Sequence, residues 1–178
     1  GSGEEKLEAV EGMTDCNFTL GHWADAITTA TMMLANEKVD DRRIIKAHYI
    51  IAKSYMAMNN LENARLEFGI TTGLSEGEQG AESKYMIAYI DFVKGKYTEA
   101  ENTIFELSEN YASHDLWVAK GFLLLSDVYL ATGNEFQARE TLKSIIENYR
   151  GPELGEIAAQ KLKELEKVNT PVNPGDSL

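Results

Sequence analysis

A turn signature that occurs four times constrains the fold of this chain more than any other feature. At each occurrence, a residue that tolerates left-handed backbone angles stands five positions before an alanine. The four pairs are Gly21 and Ala26, Asn59 and Ala64, Gly95 and Ala100, and Gly133 and Ala138. Successive copies are 38, 36 and 38 residues apart, which indicates a repeat architecture. The glycine or asparagine predicts the residue just after a helix, and the alanine predicts a point where two helix axes approach to about 8–10 Å.

The helix before each turn carries further positions that repeat together with the alanine. Twelve residues before each alanine the chain has a small residue, namely Thr14, Ala52, Ala88 and Ser126. Three residues later stand Asn17, Tyr55, Asp91 and Tyr129. A tyrosine at this position is expected to cover the small pair. Asp91 either reaches Lys or Tyr side chains across the helices or leans toward solvent; a buried carboxylate needs a polar partner, so we expect a structural polar bridge, with a ligand contact as the alternative.

This pattern resembles the tetratricopeptide repeat, a unit of helix A, turn and helix B with a period of about 34 residues. The aromatic residue that the family has after the turn is present as Trp23 and Tyr97, is replaced by Leu61, and is displaced by one position to Phe136. The resemblance implies an all-α fold: a tetratricopeptide-like helical-hairpin solenoid of about four repeats with a C-terminal capping helix. The run from Gly133 to Tyr149 further resembles the last repeats of large tetratricopeptide proteins from Bacteroidetes bacteria.

The aligned repeats predict the domain organisation. Residues 4–168 form a single domain, with units at 7–40, 45–78, 81–114 and 119–151 and a capping helix at 152–168. The glycine-rich segment 74–80 is predicted to be a loop. The capping helix would cover the last repeat with an apolar face made of Leu154, Ile157, Ala158, Leu162 and Leu165.

Both chain ends differ in character from the repeats. Residues 169–178 contain two prolines and no periodicity, so we expect them to be frayed. The chain begins with Gly-Ser-Gly and not with Met, which predicts that residues 1–3 are the remnant of a tag and that the chain is part of a longer protein.

Composition disfavours several classes of partner. The formal charge of −12 and the pI near 4.7 would repel nucleic-acid phosphates, so no nucleic-acid partner is predicted. No apolar run approaches the roughly 18–20 residues that cross a bilayer, so no membrane insertion is predicted. The single cysteine, Cys16, allows no internal disulfide.

The chain shows no motif that would carry catalysis. It has no glycine-rich phosphate loop, no His-Glu-x-x-His and no nucleophile elbow. Its histidines, His22, His48 and His114, fall in different units, so we predict no metal site. Asp115 follows His114 and is predicted to be the N-cap of the next helix. We therefore predict a non-enzymatic protein without a cofactor.

The resemblance implies that the A helices line the concave side of the solenoid and bind a partner protein or peptide there. Aromatic side chains among charges of both signs supply rigid anchors and orienting hydrogen bonds. The predicted contact residues, here called the A-helix face, are Tyr49, Lys53, Glu82, Tyr85, Tyr89, Lys120 and Asp127. An alternative stays open, in which Tyr85, Tyr89 and Phe92 pack against the next A helix.

Two other functions fit the sequence. One is a helical domain of the bacterial periplasm or cell envelope that binds a carbohydrate or small molecule. That function calls for a pocket with stacked Trp or Tyr, and Trp23 and Trp117 lie at or beside turns in different units. The other is a structural spacer within a larger repeat protein, in which the A-helix face has no ligand.

Overall fold

The structure, a computed structural model, describes residues 2–168, and within them the only regular secondary structure is α-helix. The predicted all-α class is confirmed. The helices of the described residues are α1 (Ser2–Thr19), α2 (Trp23–Leu34), α3 (Asp41–Ala57), α4 (Leu61–Leu74), α5 (Glu78–Val93), α6 (Tyr97–Asn110), α7 (Asp115–Ala131), α8 (Glu135–Asn148) and α9 (Pro152–Val168). We call α1, α3, α5 and α7 the A helices, and α2, α4, α6 and α8 the B helices. The predicted frayed tail, residues 169–178, lies outside the described residues.

The chain divides into two compact units, Gly1–Ile90 and Asp91–Leu178, and the boundary falls inside α5. In the first unit, α2 packs against α1 and α3, and α3 packs against α4. In the second unit, α7 packs against α6 and α8, and α9 packs against α8 and α7. Each unit has its own buried apolar clusters. The extent of a single domain over 4–168 stays a prediction.

The four turns from an A helix to a B helix share one backbone geometry. Their left-handed residues, with φ between +58° and +77°, are Gly21, Asn59, Gly95 and Gly133. In every turn this residue donates its N–H to the carbonyl three positions back, and the next residue donates to the carbonyl five positions back, at 2.7–3.1 Å. These bonds satisfy the last carbonyls of the A helix. The predicted role of Gly and Asn at this position is confirmed.

In each turn, the residue after the left-handed one donates to a carbonyl five positions back. The residue that owns this carbonyl stands where a covering tyrosine was expected. The turn uses the backbone of that residue, so its side chain is free to vary, as Asn17 and the fully buried Asp91 show. In the last repeat a tyrosine at this position binds across two helices: the Tyr129 hydroxyl donates to Glu101 at 2.9 Å. Burial, and second this bond, raise the pKa of Tyr129 to about 12.

The alanine that follows each turn is fully buried, as its small size predicted. Ala26, Ala64, Ala100 and Ala138 expose none of their surface, and neither do the small residues Thr14, Ala52, Ala88 and Ser126. Each alanine N–H also donates to the carbonyl four positions back, at 2.8–3.1 Å, which starts the B helix. Each alanine therefore helps to start the B helix and also allows the neighbouring helices to approach closely.

The prediction that residues 74–80 form a loop was wrong, because the connection between α4 and α5 is shorter. Helix α4 continues to Leu74 and α5 begins at Glu78. The Gly77 N–H donates to Ser75 Oγ at 3.2 Å, and the Ala81 N–H donates to the Gly77 carbonyl at 3.0 Å. This side-chain turn closes the connection in three residues, and Gly80 is a buried helical residue.

One helix start also differs from expectation. The N-cap of α7 is His114, which makes no side-chain capping bond, so the prediction that Asp115 is the N-cap was wrong. Asp115 is instead the first residue of the helix, where a carboxylate still interacts favourably with the helix dipole.

The capping helix packs as predicted, with one exception. Leu154 and Ala158 of α9 are buried in a cluster with Leu142 of α8. Ile157 was placed on the same face, but it is 41% exposed. It precedes Ala158 by one position, about 100° around the helix, which turns it to the flank of the buried stripe.

The left-handed turns should be sensitive to a side chain. Gly133→Ala is expected to lower the free energy of unfolding by about 1 kcal/mol, because alanine is strained at positive φ. Gly155→Ala, in α9, is the matched control. An added Cβ meets nothing within 4 Å at either position, so the control should be stabilised by about 0.5–1 kcal/mol. Urea denaturation, monitored by circular dichroism, measures the stability of both variants. Equal effects of the two substitutions would contradict backbone strain at position 133.

A buried hydroxyl gives a second prediction on stability. Ser54 is fully buried in α3, and its Oγ finds no hydrogen-bond partner among the described residues. Ser54→Ala is expected to raise the free energy of unfolding by about 1 kcal/mol, since it removes an unsatisfied polar atom and favours the helix. In the control, Ser126→Ala, the lost hydroxyl bonds the Leu123 carbonyl at 2.6 Å, so its gain should be smaller. Thermal denaturation of the two variants tests the order.

Candidate functional site

Helices α1 and α3 are joined by an ion-pair network centred on Glu11. Its carboxylate accepts from Arg42 at 2.9 and 3.1 Å, from Arg43 at 2.7 Å and from Lys46 at 2.9 Å. Lys46 also donates to Asp15 at 2.7 Å. The Arg42 hydrogen bonds, followed by those of Arg43 and Lys46, hold the pKa of Glu11 well below its usual value, even though burial acts in the opposite direction.

This network determines which charges of α3 are available to a partner. The side chains of Glu11 and Arg43 are only 14% and 10% exposed, so their charges are compensated inside the unit. The cations on the α1 side of α3 therefore hold two A helices together. That side is better described as a seam than as a binding surface.

On its other side, α3 forms a polar cluster with α5. The Tyr49 hydroxyl donates a short hydrogen bond to Glu82, and the Lys53 ammonium donates to the other Glu82 oxygen at 2.8 Å. Lys53 also donates to the Tyr49 oxygen at 3.2 Å and lies 5.1 Å from its ring centroid. Burial, and second the bond to Glu82, raise the pKa of Tyr49. Three residues of the predicted A-helix face are thus in contact with one another.

An apolar pocket opens beside this cluster. It has a volume of about 280 Å³ and lies wholly in the first unit. Its lining residues come from five helices and are Phe18, Trp23, Lys53, Met56, Ala57, Phe68 and Met86. The rings of Phe18 and Trp23 meet edge to face, with centroids 5.5 Å apart. Lys53 belongs to both features, and its side chain is 36% exposed, so a cation stands at the margin of an otherwise apolar pocket.

The other residues of the A-helix face are less closely grouped. Tyr85 and Tyr89 follow Glu82 on α5, where Tyr85 is half-buried and Tyr89 is 37% exposed. Lys120 and Asp127 lie on α7 in the second unit.

Lys120 and Asp127 each contact another residue of the second unit. The Lys120 ammonium lies 4.3 Å from the ring centroid of Trp117, one helical turn earlier. The Asp127 carboxylate accepts from Lys161 of the capping helix at 2.5 Å. Asp127 therefore anchors α9, and this contact accounts for it without an external partner.

Most of the pocket lining was not predicted from the sequence. Of the lining residues, only Trp23 and Lys53 were singled out, the first as the aromatic residue after a turn and the second as a member of the A-helix face. A signal was nevertheless present. Phe92 and Tyr97, spaced like Phe18 and Trp23 around the equivalent turn, also place their rings together, with centroids 5.8 Å apart. An aromatic pair five residues apart around a left-handed glycine thus marks a packed turn.

The described residues contain no group of three or more His, Cys, Asp or Glu side chains arranged to hold a metal ion. Among the same residues, no helix combines the length and the hydropathy that a bilayer crossing requires.

Comparisons with known proteins agree with the repeat geometry. The family model of the tetratricopeptide repeat matches residues 121–151. No curated protein is similar enough in sequence to count as a relative.

Several solved structures share the fold. Repeats of a kinesin light chain-like protein from Podosopora anserina are similar with a TM-score of 0.68 at 16% identity, over 92% of this chain and 86% of that one. MamA is similar with a TM-score of 0.64 at 18% identity, over 96% and 100% of the two chains. BtubC from P. vanneervenii is similar with a TM-score of 0.67 at 15% identity, over 97% and 85%. At these identities the similarity shows the fold alone.

The seam between α1 and α3 should weaken in acid. Since the pKa of Glu11 is lowered on folding from its usual 4.5, its contribution to stability is complete above about pH 4.5 and is lost as the pH falls toward the lowered value. Glu11→Gln is expected to reduce the free energy of unfolding by about 1–3 kcal/mol at pH 7, and by progressively less below about pH 4.5.

Urea denaturation over a range of pH measures this difference. Glu8→Gln, at an exposed glutamate one turn earlier on α1, is the control and should change stability little at any pH. A Glu11→Gln effect that does not change with pH would argue against the charged network.

Proposed function

We propose that this chain is a tetratricopeptide-repeat protein whose first unit binds a peptide segment of a partner protein at the A-helix face. The fold is consistent with a protein-interaction scaffold. The observation that carries the finer proposal is the position of Lys53, which joins the cluster of Tyr49 and Glu82 to the apolar pocket. A peptide needs both kinds of contact, because apolar anchors supply affinity and polar groups orient the backbone.

The pocket favours one large apolar side chain of the peptide, such as Leu, Met or Phe. Met56 and Met86 line it from two different A helices. Methionine is flexible and polarizable, so it adapts to different side chains and also contacts aromatic rings favourably. Phe18 and Trp23, whose rings meet edge to face, also line the pocket and provide a rigid aromatic wall.

The polar cluster would orient the peptide backbone beside that anchor. Lys53 has three donor hydrogens, and the bonds to Glu82 and Tyr49 account for two of them. The third can donate to a peptide carbonyl or to a carboxylate that precedes or follows the anchor. Because Glu82 already balances the charge of Lys53, the site does not require an acidic peptide.

The remaining residues of the A-helix face differ in how they support the proposal. Tyr89 is the most exposed of the tyrosines proposed for this face and extends it along α5. Lys120 stays a proposed contact in the second unit. Asp127 is the weakest member, because its carboxylate is engaged by Lys161.

A carbohydrate is less well matched to the same pocket. Apart from Lys53, the lining has no charged side chain and no hydroxyl group, so most sugar hydroxyls would lose water without gaining a partner. A purely structural spacer would not need an open apolar pocket, and burial of that surface within the unit would be more stable.

The proposal is tested with peptides selected from a random phage-displayed library against the wild-type protein. Selected peptides should share one large apolar residue, and Met86→Gln should weaken their binding at least about tenfold in fluorescence anisotropy, because it places an amide in the pocket. Met86→Glu should weaken it further. Circular dichroism confirms that each variant is folded.

Met58→Gln is the matched control. Met58 follows α3 directly, is 50% exposed and is not part of the pocket lining, so its substitution should change the affinity less than about twofold. In a Trp117→Phe background, Trp23 fluorescence should shift when a peptide binds. Recovery of no peptide with an apolar anchor, or equal binding by Met86→Gln and wild type, would disprove the proposal.

A further inference from the structure

A second cavity lies wholly within the second unit, at the end of the α7–α8 hairpin where α7 begins and α8 ends. Its volume is about 220 Å³. Its lining residues are Asp115, Val118, Ala119, Phe122, Ser144, Ile145, Asn148, Tyr149 and Arg150. None of them belongs to the A-helix face, so the binding of a peptide in the first unit does not account for this cavity.

The wall of the cavity is apolar and depends on one glycine. Val118 and Phe122 line it from α7, and Ile145 and Tyr149 line it from the end of α8. A Cβ atom built on Gly151 would collide with the ring of Tyr149. The glycine therefore allows the ring to fold back over the chain after α8, where it closes one side of the cavity.

The rim of the cavity carries one charge of each sign. Asp115 begins α7, and Arg150 follows α8, so both stand at the same end of the hairpin. Neither side chain lies within 4.0 Å of an oppositely charged group in the part of the chain that the structure describes. A free carboxylate and a free guanidinium beside the same apolar cavity are both available to a ligand.

Two uncharged polar groups complete the rim. The Asn148 amide donates to the Ser144 carbonyl at 2.9 Å and to its Oγ at 3.3 Å. These bonds use the donors of Asn148 and leave its side-chain oxygen as an acceptor, and they leave the Ser144 hydroxyl hydrogen as a donor. The rim can thus both donate to and accept from a small polar group.

We propose that this cavity binds a free α-amino acid with a large apolar side chain. The side chain would lie against Phe122, Ile145 and Tyr149. Arg150 would bind the α-carboxylate, for which guanidinium is well suited, and Asp115 would bind the α-ammonium. The volume agrees with this size, since it falls below the roughly 300–1,000 Å³ of pockets for larger ligands.

The charge pattern separates this ligand from related ones. A carboxylate without an ammonium would leave Asp115 unpaired beside a second negative group. An amine without a carboxylate would leave Arg150 unpaired. The zwitterion satisfies both rim charges at once, so it should bind more tightly than either fragment.

The experiment uses L-phenylalanine as the probe, titrated into the full chain and followed by two-dimensional NMR up to about 20 mM. We expect a Kd on the order of 1 mM or tighter, as its small size implies. Shifted amides should include those of residues 115–122 and 144–150. The fragments 3-phenylpropionate and 2-phenylethylamine should each bind at least about fivefold more weakly.

Two variants test which group of the ligand each charged side chain binds. Arg150→Gln should weaken L-phenylalanine at least about fivefold and leave 2-phenylethylamine unchanged, whereas Asp115→Asn should weaken L-phenylalanine without weakening 3-phenylpropionate. The matched controls, Lys143→Gln and Glu147→Gln, change exposed charges of α8 outside the cavity and should have little effect. No binding up to the highest concentration, or equal binding of amino acid and fragments, would overturn the proposal. The peptide-binding test in the first unit is unaffected by either outcome.

Discussion

Each helical hairpin depends on a residue that holds the left-handed conformation after its A helix. That conformation lets two successive N–H groups turn back onto the last carbonyls of the helix, so the chain reverses without leaving polar backbone atoms unpaired. The reversal is so tight that the B helix begins within three residues, and its first turn presents an alanine to the preceding helix. Larger side chains at that point would separate the helices, and the core on which each unit relies would open.

The same geometry explains why equivalent positions of the four repeats can carry different residues. The position six residues before the first residue of the B helix contributes its backbone carbonyl to every turn, whichever side chain it carries. Tyr129 uses its side chain to bond Glu101, while Asp91 occupies the equivalent place fully buried. The repeat thus requires backbone conformation at some positions and side-chain volume at others.

Charge is organised by contact between A helices more than by net composition. Although the chain carries a formal charge of −12, the cations of α3 meet carboxylates of α1 on one side and Glu82 of α5 on the other. Where this pattern meets apolar lining, a concavity with an accessible cation arises at Lys53. The candidate site is therefore a consequence of how α3 is held between two neighbours. In the second unit, Asp127 plays a comparable part when it binds Lys161 of the capping helix.

The sequence alone determined the helical class, the four turns and the buried alanines, because these depend on local requirements: positive φ needs Gly or Asn, and close helices need small side chains. It also grouped Tyr49, Lys53 and Glu82 on one predicted face, since their spacing places them on one side of successive A helices. Only the tertiary structure decided that these three bond one another, that Asp127 serves the capping helix, and that Phe18, Trp23 and Met86 form one pocket. Such contacts join residues from different helices, and their distances depend on packing that no local pattern encodes. Asp115 and Arg150, which have no oppositely charged partner among the residues that the structure describes, line one cavity for the same reason, because folding brings the start of α7 and the end of α8 together.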